Sequence, residues 1–405
     1  MNTTSSICGD IENSDFESRF LQELTLNRLN FHKDNYDTFF RGPEPKENRL
    51  GLKNAAQSVA REAIDFLQAS SKGDALKSKV DRFSNFLKDR LAYRYIPEIY
   101  FQRTLAEFKQ FQFLYDHLAD EESRKILMSL LAYKVLGFRK VKLKRNNSEY
   151  WDGIEQSKKL DTGLPEMRIP FLTWPLKCFD VSPLGFDMQL YTYAQAIAIN
   201  FVQKQYVLHR DNVVCKAEEG DVVIDAGGCW GDTALQFACE VGENGHVYTF
   251  EFVPTNLNVM NKNLDLNPHL KSRITKVENP VGAKSGELMY FYENGPGSRV
   301  SKTKVDDRYL ECEIISIDRV VKDKKIKKVD FIKMDVEGSE LDALIGAEKT
   351  IKKYRPKLAI CIYHKPDDYL TIPSYLDKLN LGYRFYIDHH TIYLNETVLF
   401  AVPRK

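Results

Sequence analysis

Residues 222–235 read Val222-Val223-Ile224-Asp225-Ala226-Gly227-Gly228-Cys229-Trp230-Gly231-Asp232-Thr233-Ala234-Leu235. A short apolar run ends at Asp225, as a buried strand does, and a glycine-rich turn follows it. Gly227, Gly228 and Gly231 stand where the chain must turn sharply and where backbone can approach a ligand closely. A helix is expected from Asp232 or Thr233, both good N-cap types, and its N-terminus suits an anion.

Moving outward, strand and helix patterns alternate to the C-terminus. Strands are expected over His246–Phe252, Ile274–Val281, Val329–Met334 and Lys357–Tyr363. Helices are expected over Pro254–Leu266, Ser339–Tyr354 and Ile372–Leu379, with an inserted hairpin near Glu287–Tyr292. Tyr383–Ile387 and Thr397–Val402 close the chain as strands with no helix between them, so they should pair antiparallel. The expected fold is α/β: a Rossmann-like, mostly parallel, doubly wound sheet with an antiparallel C-terminal strand.

Upstream, the pattern from Phe16 to about Leu136 is helical, punctuated by Gly42-Pro43, a turn at Ser71–Asp74, and Pro97. Residues 137–218 mix proline-broken aromatic pieces with a helical-looking stretch at Met188–Leu208. The expected division is a mainly helical N-terminal domain over 1–140, a connector over 141–218, and a cofactor domain over 219–405.

Composition narrows the function. Of 405 residues, 43% are hydrophobic and 28% charged, ordinary for a globular protein with a sizeable core. A net charge of +1 gives no global field to attract nucleic acid. The basic run Lys322–Lys328 reads as a solvated loop. Seven cysteines without metal or paired spacing suggest reduced thiols. No secretory start and no membrane-length apolar run is visible, so a cytoplasmic protein without a membrane span is expected.

In doubly wound sheets, ligands bind beyond the carboxyl ends of the strands at the switch point. Glu251, ending the second strand, is placed to accept from both hydroxyls of a ribose. Asp225 is placed for a ligand's amino group. An NAD site competes: over residues 226–231 only its first glycine is missing. Asp225 and Asp232 would set negative charge beside a pyrophosphate, whereas a zwitterionic amino acid tolerates both.

Val222–Leu235, Phe250–Pro254 and Asp330–Leu344 (DFIKMDVEGSELDAL) resemble the FkbM family of methyltransferases, from about residue 185 onward. The resemblance implies a class I methyltransferase fold and O-methyl transfer from S-adenosyl-L-methionine to a sugar, sugar nucleotide or other small hydroxyl acceptor. It places Asp225, Gly227, Gly231 and Asp232 around the methionyl part; Gly228, Thr233 and Glu337 are further expected cofactor-binding residues. Glu251 goes to the ribose and Asn279 near the adenine. Pro280-Val281-Gly282 departs from the family's usual turn there.

Methyl transfer needs alignment and a base for the acceptor's proton. Asp335, ending the fourth strand, and His364, ending the fifth, are the expected catalytic pair, with His364 as general base. His389 and His390 follow the sixth strand, as lesser candidates for an anionic acceptor or as surface residues. Asp335, Glu337 and His364 could together hold a divalent ion, but the spacing is not that of a metal motif, and no metal is expected. Two other readings stay open: an NAD-dependent oxidoreductase and a non-catalytic nucleoside-binding scaffold. In the methyltransferase reading the N-terminal helices are expected to form an acceptor lid or a homo-oligomer interface.

Overall fold

The computed structural model describes residues 15–30, 32, 35, 108–170, 172, 174–210 and 212–404. The apolar runs pair into a seven-stranded sheet. Its strands are β1 (Val222–Ala226), β2 (His246–Phe250), β3 (Ile274–Val277), β4 (Phe331–Met334), β5 (Lys357–Cys361), β6 (Tyr383–His389) and β7 (Thr397–Pro403). Their order across the sheet is β6-β7-β5-β4-β1-β2-β3. The five strands β1 to β5 run parallel, while β7 pairs antiparallel with both β5 and β6. Strand order reverses between β1 and β4, so a crevice opens where their carboxyl ends diverge.

Helices cover the sheet: α1 (Asp232–Val241), α2 (Pro254–Leu266), α3 (Glu340–Ile345), α4 (Glu348–Tyr354) and α5 (Asp368–Lys378). Helix α1 buries Leu235, Phe237, Ala238 and Val241, and the Phe237 ring lies 5.6 Å from that of Phe331 in β4. These residues share one core with Phe400 and Val402 of β7. Full burial of each large apolar side chain stabilises by about 1.5–3 kcal/mol, so the interleaved apolar faces fix the register of helices on strands.

Several expectations change. Helix α1 has Gly231 as its N-cap, in left-handed conformation at φ 81°, and no side chain caps it. The expected single helix over 339–354 is two, broken at Gly346-Ala347. A side chain at Gly346 would run into the Gly282 carbonyl, and Asp318 caps the second helix through the Thr350 N–H at 2.8 Å. Met188–Leu208 is no single helix. It holds a strand at Gln189–Thr192, a short helix at Ala194–Ile197, a π-turn at Ala198–Val202 and the start of a strand at Leu208. The basic run is partly helical, within Ile317–Asp323. The inserted hairpin is a three-stranded sheet of Leu288–Phe291, Val300–Ser301 and Leu310–Glu313.

The chain divides into two units, and residues 110–127 with 144–405 form the one that carries the sheet. In the other, the helix Asp15–Asn27 buries Phe16 and Phe20 and exposes Leu21 and Leu26. Helices also run over Phe108–His117 and Glu121–Leu136, in keeping with the expected helical pattern. The turns expected at residues 42–43, 71–74 and 97 lie outside the described residues. Among the described residues, no helix is long and apolar enough to cross a membrane.

Candidate active site

At the carboxyl ends of β1, β2, β3 and β4 lies a cleft whose walls include Gly227, Glu251, Asn279, Asp335 and Glu337. Gly227 adopts φ 88°, and a Cβ there would collide with the Asp335 carbonyl, so only glycine lets the first turn lie against the β4 loop. The other two glycines serve packing. A Cβ at Gly228 would strike Thr249 Oγ1, and one at Gly231 would come within 2.9 Å of the Met260 side chain. The cleft wall at the turn is made by Gly227 and Cys229.

Asp225 does not face a ligand. Its carboxylate is fully buried and accepts from Thr233 Oγ1 at 3.0 Å and Thr249 Oγ1 at 2.9 Å. Lys333, in the middle of β4 and 1% exposed, lies 3.1 Å from Asp225 Oδ1 and donates to the Gly227 carbonyl at 2.6 Å. Burial pulls the lysine down, but the charges of Asp225 and Asp335 outweigh it and keep the ammonium protonated. The expectation that Asp225 holds a ligand's amino group is therefore corrected: its charge is spent on Lys333. The charge argument against a dinucleotide loses half its basis with it. Asp232 accepts from Asn200 Nδ2 at 2.9 Å, and burial raises its carboxyl despite the opposing charge of Lys333.

Glu251 sits at the end of β2, 7% exposed. Its Oε1 accepts from the N–H groups of Phe252 and Val253, both at 2.7 Å, and its Oε2 from Asn256 Nδ2 at 3.2 Å. Burial pushes the carboxyl up to about 7 against those three donors. Asn256 also accepts from Trp230 Nε1 at 3.1 Å, which ties the glycine turn to Glu251. Asn279 lines the same cleft and gives one amide N–H to the Glu313 carbonyl at 3.0 Å.

Across the cleft from β2, the ends of β4 and β5 bring carboxylates together. Asp335 Oδ2 accepts from Tyr206 Oη at 2.9 Å, and Asp335 Oδ1 lies 3.4 Å from His364 Nε2. His364 Nδ1 lies 2.7 Å from Glu340 Oε1, an oxygen that also accepts the N–H of Val336 at 2.9 Å. Glu340 is fully buried, and this short bond is the fixed partner of Nδ1. Burial would pull the imidazole down, but the Glu340 bond and the charges of Asp335, Glu340 and Glu337 hold it at about 9. His364 is thus cationic near neutral pH, and the expectation of a neutral histidine waiting as general base is corrected.

Glu337 adopts φ 53°, unusual for a residue with a side chain, and its Oε2 pairs with Arg299 Nη2 at 3.1 Å. Burial raises its carboxyl, opposed by His364. Tyr363 Oη donates to Glu396 Oε2 at 3.1 Å, and Gln205 Nε2 reaches the same oxygen at 2.7 Å. Burial and the nearby Asp335 charge raise Glu396. Asp335, Glu340 and His364 offer ligand atoms within 4.8 Å of one another. His389 and His390 are elsewhere, 5% and 0% exposed inside the fold, so neither is a surface anion site.

Sequence reasoning missed Lys333, Tyr206, Glu396 and Asn256. Lys333 left a signal: a cation in the middle of Phe331–Met334, a strand buried on both faces, must have a partner.

A seven-stranded sheet with β7 inserted antiparallel between β5 and β6, and a ligand cleft at the β1 edge, is the architecture of a class I methyltransferase. Residues 215–385 match the family model for the methyltransferase FkbM domain. No curated protein matches the chain. Among solved structures, the chain is similar to methyltransferase FkbM from Methylobacillus flagellatus KT, with 19% identity and a TM-score of 0.48. That alignment covers 74% of this chain and 60% of that one, so the chain spans less than two thirds of the protein it matches. It is also similar to Aeropyrum pernix fibrillarin, solved with natively bound S-adenosyl-L-methionine (11% identity, 59% of this chain and 98% of that one, TM-score 0.31). A third is an S-adenosylmethionine-dependent O-methyltransferase from Thermotoga maritima (15% identity, 47% and 62%, TM-score 0.28).

Proposed function

We propose that this chain transfers a methyl group from S-adenosylmethionine to a hydroxyl of a sugar, sugar nucleotide or glycan. The observation that carries this reading is one cleft lined both by Glu251, at the β2 end, and by Asp335, at the β4 end. Glu251 Oε2 has a single hydrogen-bond donor, Asn256, among the described residues, so it retains capacity to accept from ribose hydroxyls. Gly227 lets main chain approach the cofactor, Asn279 is assigned to the adenine, and Glu337 to the cofactor site, while Asp232 and Thr233 stand behind the turn and outside the cleft wall. When bound, the cofactor supplies an electrophilic sulfonium methyl.

The chain's own residues align the acceptor and take its proton. Asp335 is assigned as the proton acceptor, held by Tyr206 and aligned by His364. His364 is assigned to positioning, since Glu340 and its neighbours keep it charged.

A labelled methyl-transfer screen across sugar nucleotides and glycans tests the acceptor class. Equilibrium binding tests the cofactor: S-adenosylhomocysteine should bind and NADH should not, and the reverse preference would overturn the proposal.

A further inference from the structure

We infer that Asp335, Tyr363 and Glu396 form one proton-sharing unit, and that the proton Asp335 takes from the acceptor passes through the Tyr363 hydroxyl to Glu396. Tyr363 follows β5 and Glu396 precedes β7, and these strands are neighbours in the sheet. The Tyr363 Oη lies 3.1 Å from Glu396 Oε2 and 3.5 Å from Asp335 Oδ1, so one hydroxyl bridges two carboxylates. It has a single proton to give, and Glu396 is the nearer partner. Its oxygen remains able to accept from Asp335 once that carboxyl is protonated, and long contacts of this kind tighten in a loaded site.

The other neighbours of Asp335 offer no such route. Tyr206 Oη bonds Asp335 Oδ2 at 2.9 Å, but Tyr206 is buried, with Lys333 Nζ over its ring. Among the described residues its hydroxyl bonds no second carboxylate. His364 already carries its charge. Glu396 differs on both counts. It is partly exposed, so a proton placed there can leave to water. Burial and the Asp335 charge push its carboxyl up to about 7, against the Gln205 and Tyr363 hydrogen bonds and the charge of His364. Titratable groups facing it include Asp335, Tyr150, Tyr206, Tyr363, Cys361 and the cation His364. Its left-handed backbone, at φ 65°, is an observed strain at this point of contact.

The transfer balances without a further reactant. The acceptor O–H bond breaks, its proton goes to Asp335 Oδ1, and the oxygen keeps the electron pair for the methyl group. Asp335 then returns a proton to Tyr363 Oη as the Tyr363 proton moves to Glu396 Oε2. Asp335 is again a carboxylate, Tyr363 again a phenol, and Glu396 a neutral acid that loses its proton to water. The direction of flow rests on the proposed function; the coupling of the two carboxylates stands apart from it.

The test follows glutamate side-chain carboxyls by carbon-13 NMR in the full, labelled chain. Glu396→Gln identifies the Glu396 resonance by its loss, and that resonance should titrate near neutral pH. Asp335→Asn removes the neighbouring charge and should lower the proton affinity of Glu396 by roughly tenfold. Tyr363→Phe removes a donor to the carboxylate and should raise it. A midpoint in the ordinary carboxylate range, or one that neither variant moves, would overturn the unit. With an acceptor from the methyl-transfer screen, Tyr363→Phe and Glu396→Gln should each slow turnover about tenfold or more with KM little changed. Combined, they should be no slower than either alone, and normal turnover in both would overturn the relay. S-adenosylhomocysteine binding, measured alongside, separates the two ideas. Binding without coupled carboxylates sinks only the unit, whereas coupling without binding supports the unit and counts against the methyl-transfer reading.

Discussion

Replacing Lys333 by methionine should expose how the glycine turn is held. The ammonium lies 3.1 Å from Asp225 Oδ1, and both side chains are at most 1% exposed. At an effective dielectric of about 20, that separation corresponds to an attraction of about 5 kcal/mol. Methionine fills much of the same volume but strands the Asp225 carboxylate in the core. Breaking one side of a buried pair costs about 3–5 kcal/mol, and loss of the bond to the Gly227 carbonyl adds to it. Asp225→Asn should be comparably harmful, because it strands the lysine instead. The double variant removes both charges and should recover most of the loss.

Urea unfolding, followed by tryptophan fluorescence, measures these differences, since Trp230 is buried within the turn. Cofactor binding should separate from stability. The double variant still lacks the 2.6 Å tie to the Gly227 carbonyl, so affinity for S-adenosylhomocysteine should stay reduced while stability returns. A single-variant loss under about 1 kcal/mol, or a double variant no better than the worse single one, would refute the reasoning.

Other perturbations probe separate parts. Glu251→Ala should weaken S-adenosylhomocysteine binding by at least tenfold, and unchanged affinity in calorimetry would remove the ribose assignment. Gly227→Ala should both destabilise and reduce cofactor affinity, because its Cβ meets the Asp335 main chain; normal binding and melting temperature would contradict that packing. His364→Ala should depress turnover with little change in cofactor affinity, and near-normal turnover would exclude a role in the reaction. His389 and His390 titrate at about 4 and about 3 because burial disfavours their charged forms. Below the ordinary histidine value the unfolded chain binds more protons, so their contribution is intact above about pH 6.5 and is lost as pH falls toward 3. By pH 5 the loss should be on the order of 4 kcal/mol for the two together, and His390→Phe should flatten the acid limb of a stability profile.

How far the fold could be read depended on where each segment finds its partners. The strands β1, β4 and β5 are buried on both faces and read as short apolar runs, and β6-β7 announces itself by lacking a crossover helix. The stretch 189–192 pairs with Lys177–Asp180, a short strand flanked by Pro175 and Pro183, and its other backbone partners are remote. Asn263 and Asn267, on and just beyond α2, bond its main chain with their side-chain amides, as at Tyr191 N–H to Asn263 Oδ1, 2.7 Å. No local period encodes that. His389 was misplaced for a similar reason: β6 extends to pair it with Thr397, and the return of the chain covers it. In the site, Glu251, Asn279, Asp335 and Glu337 were legible because strand ends define the cleft. The ionisation of His364 was not, since it depends on Glu340, 24 positions away in sequence.

The charge criterion that favoured a methyl donor over a dinucleotide therefore has to be relocated. Asp225 is neutralised by Lys333 and cannot repel a pyrophosphate. Dinucleotide sheets of the Rossmann type carry their ligand across two mononucleotide-binding halves, in strand order 3-2-1-4-5-6. Here the second half is interrupted by the antiparallel β7. Beyond β4, where a second nucleotide would extend, stand Asp335, Glu337 and Glu340, faced by the imidazolium of His364 and the guanidinium of Arg299. A diphosphate-linked ligand crossing that ground would meet three carboxylates against two cations. A sulfonium cofactor gains from the same excess of negative charge. The discrimination lies at the acceptor end of the cleft, not in the glycine turn.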